Sequence, residues 1–291
     1  MPPCYVSNTI IMEVVRCKAC DYNIIQHKGD VTTKIYPYLR DNEGFLKMWN
    51  ISPNHGRSYL VGKNKEGGFI ISKGNGLSYS QYNFINTHEI GDETLGLLLK
   101  NDALRDFDMG LEVSTLGIKT NKMECVIELG ATLSLPTGNL IHPVLLQYEV
   151  ECPYRISDAV FINEKEIGRY VEQWQSERYD QKHVIAAEVL IGNLRKLHSK
   201  EILHNAITVH NITWALELLD FELACSPRRP YDREEERRHV KDLFPREIIG
   251  TFNIIRYISG VLKERMNNEL IEEIFIENGF NLSEYKVEYY G

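Results

Sequence analysis

The chain has 291 residues, 43% of them hydrophobic and 25% charged, with a formal net charge of −8. This is ordinary globular composition, and the length buries a sizeable core without needing disulfides or a structural metal. The acidic balance argues against general nucleic-acid binding and against docking on anionic lipid, but leaves room for a local basic pocket. No apolar run reaches the ~18 residues expected of a membrane-spanning helix. Met1 to Arg16 is partly apolar but has no basic start and no small-residue cleavage site, so a cytoplasmic protein is expected.

Six cysteines are scattered along the chain, and only Cys17 and Cys20 form a C-x-x-C. A zinc site usually takes four ligands, and adding Cys4 would still leave one missing. Reduced cysteines in a strand or turn are the expectation, with a metal or redox role as the alternative.

In chain order, Tyr59 to Gly62 and Gly68 to Ser72 read as strands, joined by the polar turn Lys63 to Gly67 into a hairpin. Thr94 to Leu116 carries Leu97, Leu98, Ala103, Leu104, Phe107, Leu111 and Leu116 at helical spacing, with Gly117 at the C-cap. Glu124 to Leu129 reads as a third strand. Asn163 to Gln175 and His183 to His198 have helical spacing, and Ala215 to Asp220 reads as a short β segment. The charged run Asp232 to Asp242 reads as a solvated loop or helix face, with partner binding as the alternative. Helices are expected around Ile248 to Glu264 and Asn268 to Glu277. A strand-rich first part with one main helix therefore precedes a helical second part. The expected division is 1–140 and 141–291, within one α+β domain.

The segment His204-Asn205-Ala206-Ile207-Thr208-Val209-His210-Asn211, followed by Leu218-Leu219-Asp220-Phe221-Glu222, carries the chemistry. It resembles the H-x-D-x-x-x-x-N and D-F-G motifs of protein kinases. An Asn amide oxygen and an Asp carboxylate are hard ligands suited to Mg2+. Asn211 and Asp220 occupy those places. Ala206 stands where the kinase Asp would be, and Glu222 where the D-F-G glycine would be. The order of elements and these motifs together give the expected fold, a bilobal protein-kinase-like architecture with ATP between the lobes.

Lys73 ends a strand in Lys73-Gly74-Asn75-Gly76-Leu77-Ser78-Tyr79-Ser80. Alone it reads as a solvated turn lysine. In kinases such a Lys meets phosphate oxygens and is oriented by an acid on the next helix, where Asp106 and Glu112 lie here. The run from Lys73, then Gly91-Asp92, Arg105-Asp106-Phe107 and Leu116-Gly117-Ile118-Lys119-Thr120-Asn121, resembles the selenoprotein O (SelO) family. That family has L-K-G-A-G-x-T-P-Y-S-R, G-D-G-R and R-E-F-x-x-x-E-A-x-x-x-L-G-I-P-T-T-R. His55-Gly56-Arg57-Ser58 resembles its earlier G-D-G-R-A. His204 to Thr213 with Leu219-Asp220-Phe221 resembles its H-G-V-M-N-T-D-N-M-S-I…T-I-D-Y-G. The resemblance runs from about residue 55 to about residue 225.

The resemblance implies a kinase-like fold that binds ATP in a flipped orientation and transfers AMP to hydroxyl groups. It implies that Lys73, Gly74, Gly76, Arg57 and Arg155 bind ATP, with Asp106 pairing Lys73. It implies that Asn211 and Asp220 hold Mg2+ or Mn2+, and that Lys73, His210 and Asp220 carry the reaction. The chain also departs from the family pattern. His210 replaces the Asp proposed there as base, and is either a proton acceptor or a spectator. Gln147 replaces an Arg, and Asp106 a longer Glu. The acceptor is left open as a protein, a peptide or a small molecule. Phosphotransfer to a small molecule and a nucleotide-binding pseudoenzyme are the alternatives.

Overall fold

The computed structural model describes residues 13–31, 34–41, 43–76, 96–134, 138–230 and 240–285. Leu77 to Ser80, Gly91 and Asp92, and 232–239 of the charged run lie outside the described residues. So does Cys4.

Eight strands form one antiparallel sheet. In chain order they are β1 (Glu13–Ala19), β2 (Tyr22–His27), β3 (Tyr38–Arg40), β4 (Leu46–Asn50), β5 (Ser58–Lys63), β6 (Phe69–Lys73), β7 (Lys122–Leu129) and, after the small ladder described next, β10 (Val144–Val150). Their spatial order is β2-β7-β10-β6-β5-β4-β1-β3. β8 (Leu133–Ser134) and β9 (Leu140–Ile141) form a separate two-stranded ladder. Every residue of β10 is buried, because the strand lies between β6 and β7 with both faces covered. The expected hairpin is β5–β6, paired Leu60 to Ile71 and Tyr59 to Ser72. Its turn closes through Asn64, whose side-chain Oδ1 accepts from Gly68 N at 2.7 Å.

Among the described residues there are also three short 3-10 turns and five α-helices: α1 (Lys100–Ser114), α2 (Glu164–Val171), α3 (Lys182–His198), α4 (Val240–Val261) and α5 (Asn268–Glu277). The architecture is α+β. Helix α1 buries Ala103, Asp106, Phe107, Met109, Gly110 and Val113 against β7 and β10. Gly110 lets α1 approach closely, since a Cβ there would lie 2.3 Å from Met123 Cε and 3.3 Å from the Phe221 ring. After α1 the chain turns through Thr115 to Gly117, where Gly117 takes φ +67°, a left-handed conformation that glycine adopts at little cost. In the second part α3 packs on α4, and Asn163 caps α2 by accepting from Glu166 N.

Two expectations are overturned. Leu97 and Leu98 lie before the helix, not in it: α1 starts at Lys100, and the two leucines bridge to Asn75 and Val144 beside the sheet. Ala215 to Asp220 is not a strand. Thr213 to Glu217 is a tight turn in which Leu216 takes φ +57°, and Leu218 makes only isolated bridges to Ile212 and Thr120. The run is apolar because Trp214, Leu216, Leu218 and Leu219 are buried, not because it is extended. Buried Glu217 supports the turn, accepting from Thr213 Oγ1 and from the backbone N–H groups of Glu151 and Cys152.

Cys17 is buried in β1 and Cys20 is half-buried just beyond it. Burial pushes the Cys17 thiol up to about 11 and also raises Cys20, so neither favours the thiolate. Among the described residues these two belong to no cluster of His, Cys or carboxylate groups able to hold a metal. Among the described residues no helix is long and apolar enough to cross a membrane.

Candidate active site

Antiparallel pairing brings the first two cations together. Ser58 at the start of β5 lies opposite Lys73 at the end of β6, so Arg57 borders Lys73. The Arg57 carbonyl accepts from Gly74 N and Asn75 N, which fixes that corner. Gly74 (φ +98°) has no room for a side chain, because a Cβ would lie 2.6 Å from Val144 O. Gly76 is also left-handed, at φ +97°.

Lys73 points to α1. Its Nζ lies 2.6 Å from Asp106 Oδ2, 2.5 Å from Asp220 Oδ1 and 3.4 Å from Glu222 Oε2. Lys73 and Asp106 are 2% and 1% exposed, so this pair is held almost without water. Arg57 Nη2 donates to Glu222 Oε1. Glu112, the other α1 acid singled out from the sequence, faces elsewhere and accepts from Ser226 Oγ.

Helices α3 and α4 place the segment 204–222. Buried Glu247 on α4 contacts His198 Nε2 of α3 at 2.8 Å and accepts from Asn205 N at 2.6 Å. Gly250 on α4 allows close approach, since a Cβ there would lie 2.6 Å from Ile207 O. His204, buried, donates from Nε2 to Leu219 O and accepts at Nδ1 from Ala206 N. Its ring packs on Phe221 at 5.0 Å between centroids. Phe221 N donates to Asp106 Oδ1, so Asp106 grips Lys73 with one oxygen and the 221 backbone with the other. Asp220 itself takes φ +67°, a left-handed conformation that Asp tolerates better than most residues.

The electrostatics follow from this crowding. Burial works to lower Lys73, but the carboxylates of Asp106, Asp220 and Glu222 outweigh it and hold the ammonium well above its ordinary range. Burial works to raise Asp220, but Lys73, Arg57 and Arg155 outweigh it and hold the carboxyl well below its ordinary range. Burial raises Asp106, with Lys73 offsetting only part of the effect. One turn earlier on α1, burial and the Glu222 charge also raise Asp102.

Asn211 turns its Nδ2 to Ala206 O at 3.0 Å and accepts from Leu219 N on its carbonyl. Its side-chain oxygen is thereby left on the opposite side of the amide. Asp106, Asp220 and Glu222 offer carboxylate oxygens within 4.8 Å of one another. This hard-oxygen set fits Mg2+ or Mn2+, with Asp220 and Glu222 the more accessible members at 20% and 18% side-chain exposure.

Beside the cluster is a second network that the sequence did not reveal. Asp158 accepts from Ser52 Oγ (2.5 Å), His55 Nε2 (2.8 Å) and Arg155 N (2.6 Å). Burial works to raise Asp158, and these partners hold it below its ordinary value. Burial lowers His55 and keeps it neutral, so Nε2 donates to Asp158 and Nδ1 is left buried without a hydrogen bond among the described residues. Arg155 is 7% exposed and its Nε likewise has no hydrogen bond among the described residues. Its charge acts on both Asp220 and His210. His210 lies at the exposed rim, lowered by desolvation and then by Arg155, hence neutral near pH 7. Gln147 is buried in β10 on the face opposite Lys73 and is held by Lys34 O, Glu124 Oε2 and Tyr36 N.

The structure thus brings together Lys73, Arg57, Asp106 and Asp220, and adds Glu222. Arg155 and His210 border them on the side of the His55–Asp158 network. The presence of Glu222 was legible, but its contact with both cations depended on a fold-level approach of residues 165 positions apart.

No family model matches the chain, and no curated protein matches it. Among solved structures it is similar to the kinase domain of a Toxoplasma gondii specific rhoptry antigen, at 10% identity. The likeness covers 82% of this chain and 78% of that one, with a TM-score of 0.40, too loose to carry an argument about activity.

Proposed function

We propose that the chain is an ATP-using transferase with a kinase-like site, and that the group it transfers is AMP, delivered to a hydroxyl. The observation that carries the reading is the buried Lys73 held between Asp106 of α1 and Asp220. Kinase-type enzymes position phosphates with a strand Lys, a helix acid and a metal-binding Asp in this relation. The finer assignment rests on the selenoprotein O resemblance and on Ala206, which leaves the loop without the usual carboxylate base.

In this reading Lys73, Arg57 and Arg155 bind the phosphates, and Gly74 and Gly76 shape the turn beside them. Asn211 and Asp220 would hold the divalent cation, which would neutralise phosphate charge. The acceptor oxygen bonds to the α-phosphorus, the α–β bridge breaks and pyrophosphate leaves. Neutral His210 takes the hydroxyl proton. The fold is bilobal, 1–140 and 141–291, and the acceptor is a protein, peptide or small molecule.

Incubation with α-32P-ATP and, separately, γ-32P-ATP tests this. Acceptor labelled from the α-phosphate is expected. Label arriving only from the γ-phosphate would overturn AMP transfer in favour of a kinase, and label from neither would favour a nucleotide-binding pseudoenzyme.

A further inference from the structure

We infer that Glu222 makes this site take a triphosphate only together with a divalent cation, by occupying the two cations, Lys73 and Arg57, that phosphate oxygens would contact. The inference rests on the nucleotide reading above and deepens it.

The placement of Glu222 follows from its neighbours. Phe221 is fixed inward, its ring buried on His204 and its N–H on Asp106. With Asp220 left-handed, the carboxylates on both sides of Phe221 turn to Lys73. Glu222 bridges the cations, Oε1 on Arg57 and Oε2 facing Lys73.

On Lys73, Glu222 is the most weakly held of the three acids, although its other oxygen is closely paired with Arg57. Its Oε2 is buried, accepts no hydrogen bond among the described residues, and is 3.4 Å from Nζ, against 2.6 and 2.5 Å for Asp106 and Asp220. Its side chain is 18% exposed, close to the 20% of Asp220, where that of Asp106 is 1%. It has the longest stem of the three and, among the described residues, no backbone N–H holding it, so it is the carboxylate able to change partners.

Charge sets the direction of that change. Asp106, Asp220 and Glu222 all lie on Lys73 or Arg57, so at these two cations carboxylates are in excess, although Arg155 and Arg105 also act on the region. A bare triphosphate would compete with Glu222 for the cations and be repelled by the rest. The oxygens that repel it attract a divalent cation, and Asp106, Asp220 and Glu222 offer a converging set. Moving Glu222 from Arg57 and Lys73 to the metal frees both cations for phosphate. Metal and nucleotide then promote each other's binding, reciprocally.

The test is calorimetric titration of the full chain with ATP, and with inorganic tripolyphosphate, each in EDTA and in Mg2+. Wild type, Glu222→Gln and Glu222→Asp are compared, with circular dichroism confirming the fold. Wild type should bind ATP ~100-fold more tightly with Mg2+. Glu222→Gln should tighten metal-free binding of both probes ~10-fold and shrink the Mg2+ effect by at least as much. Glu222→Asp, which keeps the charge, should stay close to wild type. If wild type binds Mg2+–ATP and Glu222→Gln shows unchanged metal-free affinity, Glu222 is only a structural bridge and the inference is overturned. If no protein binds either probe under either condition, the nucleotide reading itself falls and takes this inference with it.

Discussion

Asp106 joins Lys73 to the backbone of Phe221, accepting from Nζ at 2.6 Å and from the 221 N–H at 2.9 Å. One helix carboxylate therefore ties the end of β6 to the segment that carries Asp220. Removing Asp106 leaves the buried Phe221 N–H without its acceptor, while Asp220 and Glu222 still neutralise Lys73. Asp106→Ala is expected to lower the unfolding free energy by about 2–3 kcal/mol. Glu112→Ala, on the same helix but with its side chain bonded only to Ser226 among the described residues, should lose about 0.5–1.5 kcal/mol. Urea unfolding of both variants checks the contrast, and equal losses would show that Asp106 does no more than an ordinary helix acid.

His55 sets a pH dependence of stability. Burial lowers its pKa in the folded chain, although Asp158 pulls the other way. The unfolded chain therefore takes up the proton first as the pH falls. The contribution is complete above about pH 6.5 and declines below it. Asp158, held low, acts in a separate window, its contribution lost below about pH 3.9. The drop in urea stability between pH 7.5 and 5.5 should shrink by about 1 kcal/mol in His55→Gln. A variant with an undiminished drop would place the pH dependence elsewhere.

His210 is offered as the proton acceptor. His210→Ala should reduce kcat by about 10²- to 10⁴-fold. Its affinity for Mg2+–ATP, measured separately, should stay within a factor of about two, because the residue before Asn211 is not among the proposed phosphate ligands. A loss confined to affinity would reassign His210 from proton transfer to binding.

Glu201 ends α3 in a left-handed conformation, φ 54°, with Ile202 N returning to Leu197 O. This is a helix C-terminus that favours glycine. Glu201→Gly should raise stability by about 1 kcal/mol, readable as a higher urea midpoint.

The parts of the fold visible in the sequence are those specified locally. Helix α3, the β5–β6 hairpin and the core of α1 follow from spacing and turn chemistry within a few residues. Strands β1 to β4 were missed because their partners are distant or their apolar pattern is weak. β2, for example, has no fully buried residue and pairs with β7 about a hundred residues later. Ala215 to Asp220 misled because an apolar run reads alike whether extended or folded into a buried turn. Lys73, Asp106 and Asp220 were legible from motif order. The Ser52–His55–Asp158 network was not, since Ser52 and Asp158 match no motif and all three meet only through tertiary approach.

The central claim is that Lys73, Asp106 and Asp220 form a metal-dependent nucleotide site, and thermal unfolding of wild type against Asp220→Asn tests it most directly. Asn also tolerates the left-handed backbone at 220, so the variant should fold. At ligand concentrations near 100 times Kd, Mg2+–ATP should stabilise wild type by about 2.7 kcal/mol. Asp220→Asn should lose most of that shift while its Tm without ligand remains measurable. An unchanged wild-type midpoint with ATP and either Mg2+ or Mn2+, or an equal shift in Asp220→Asn, would contradict the account.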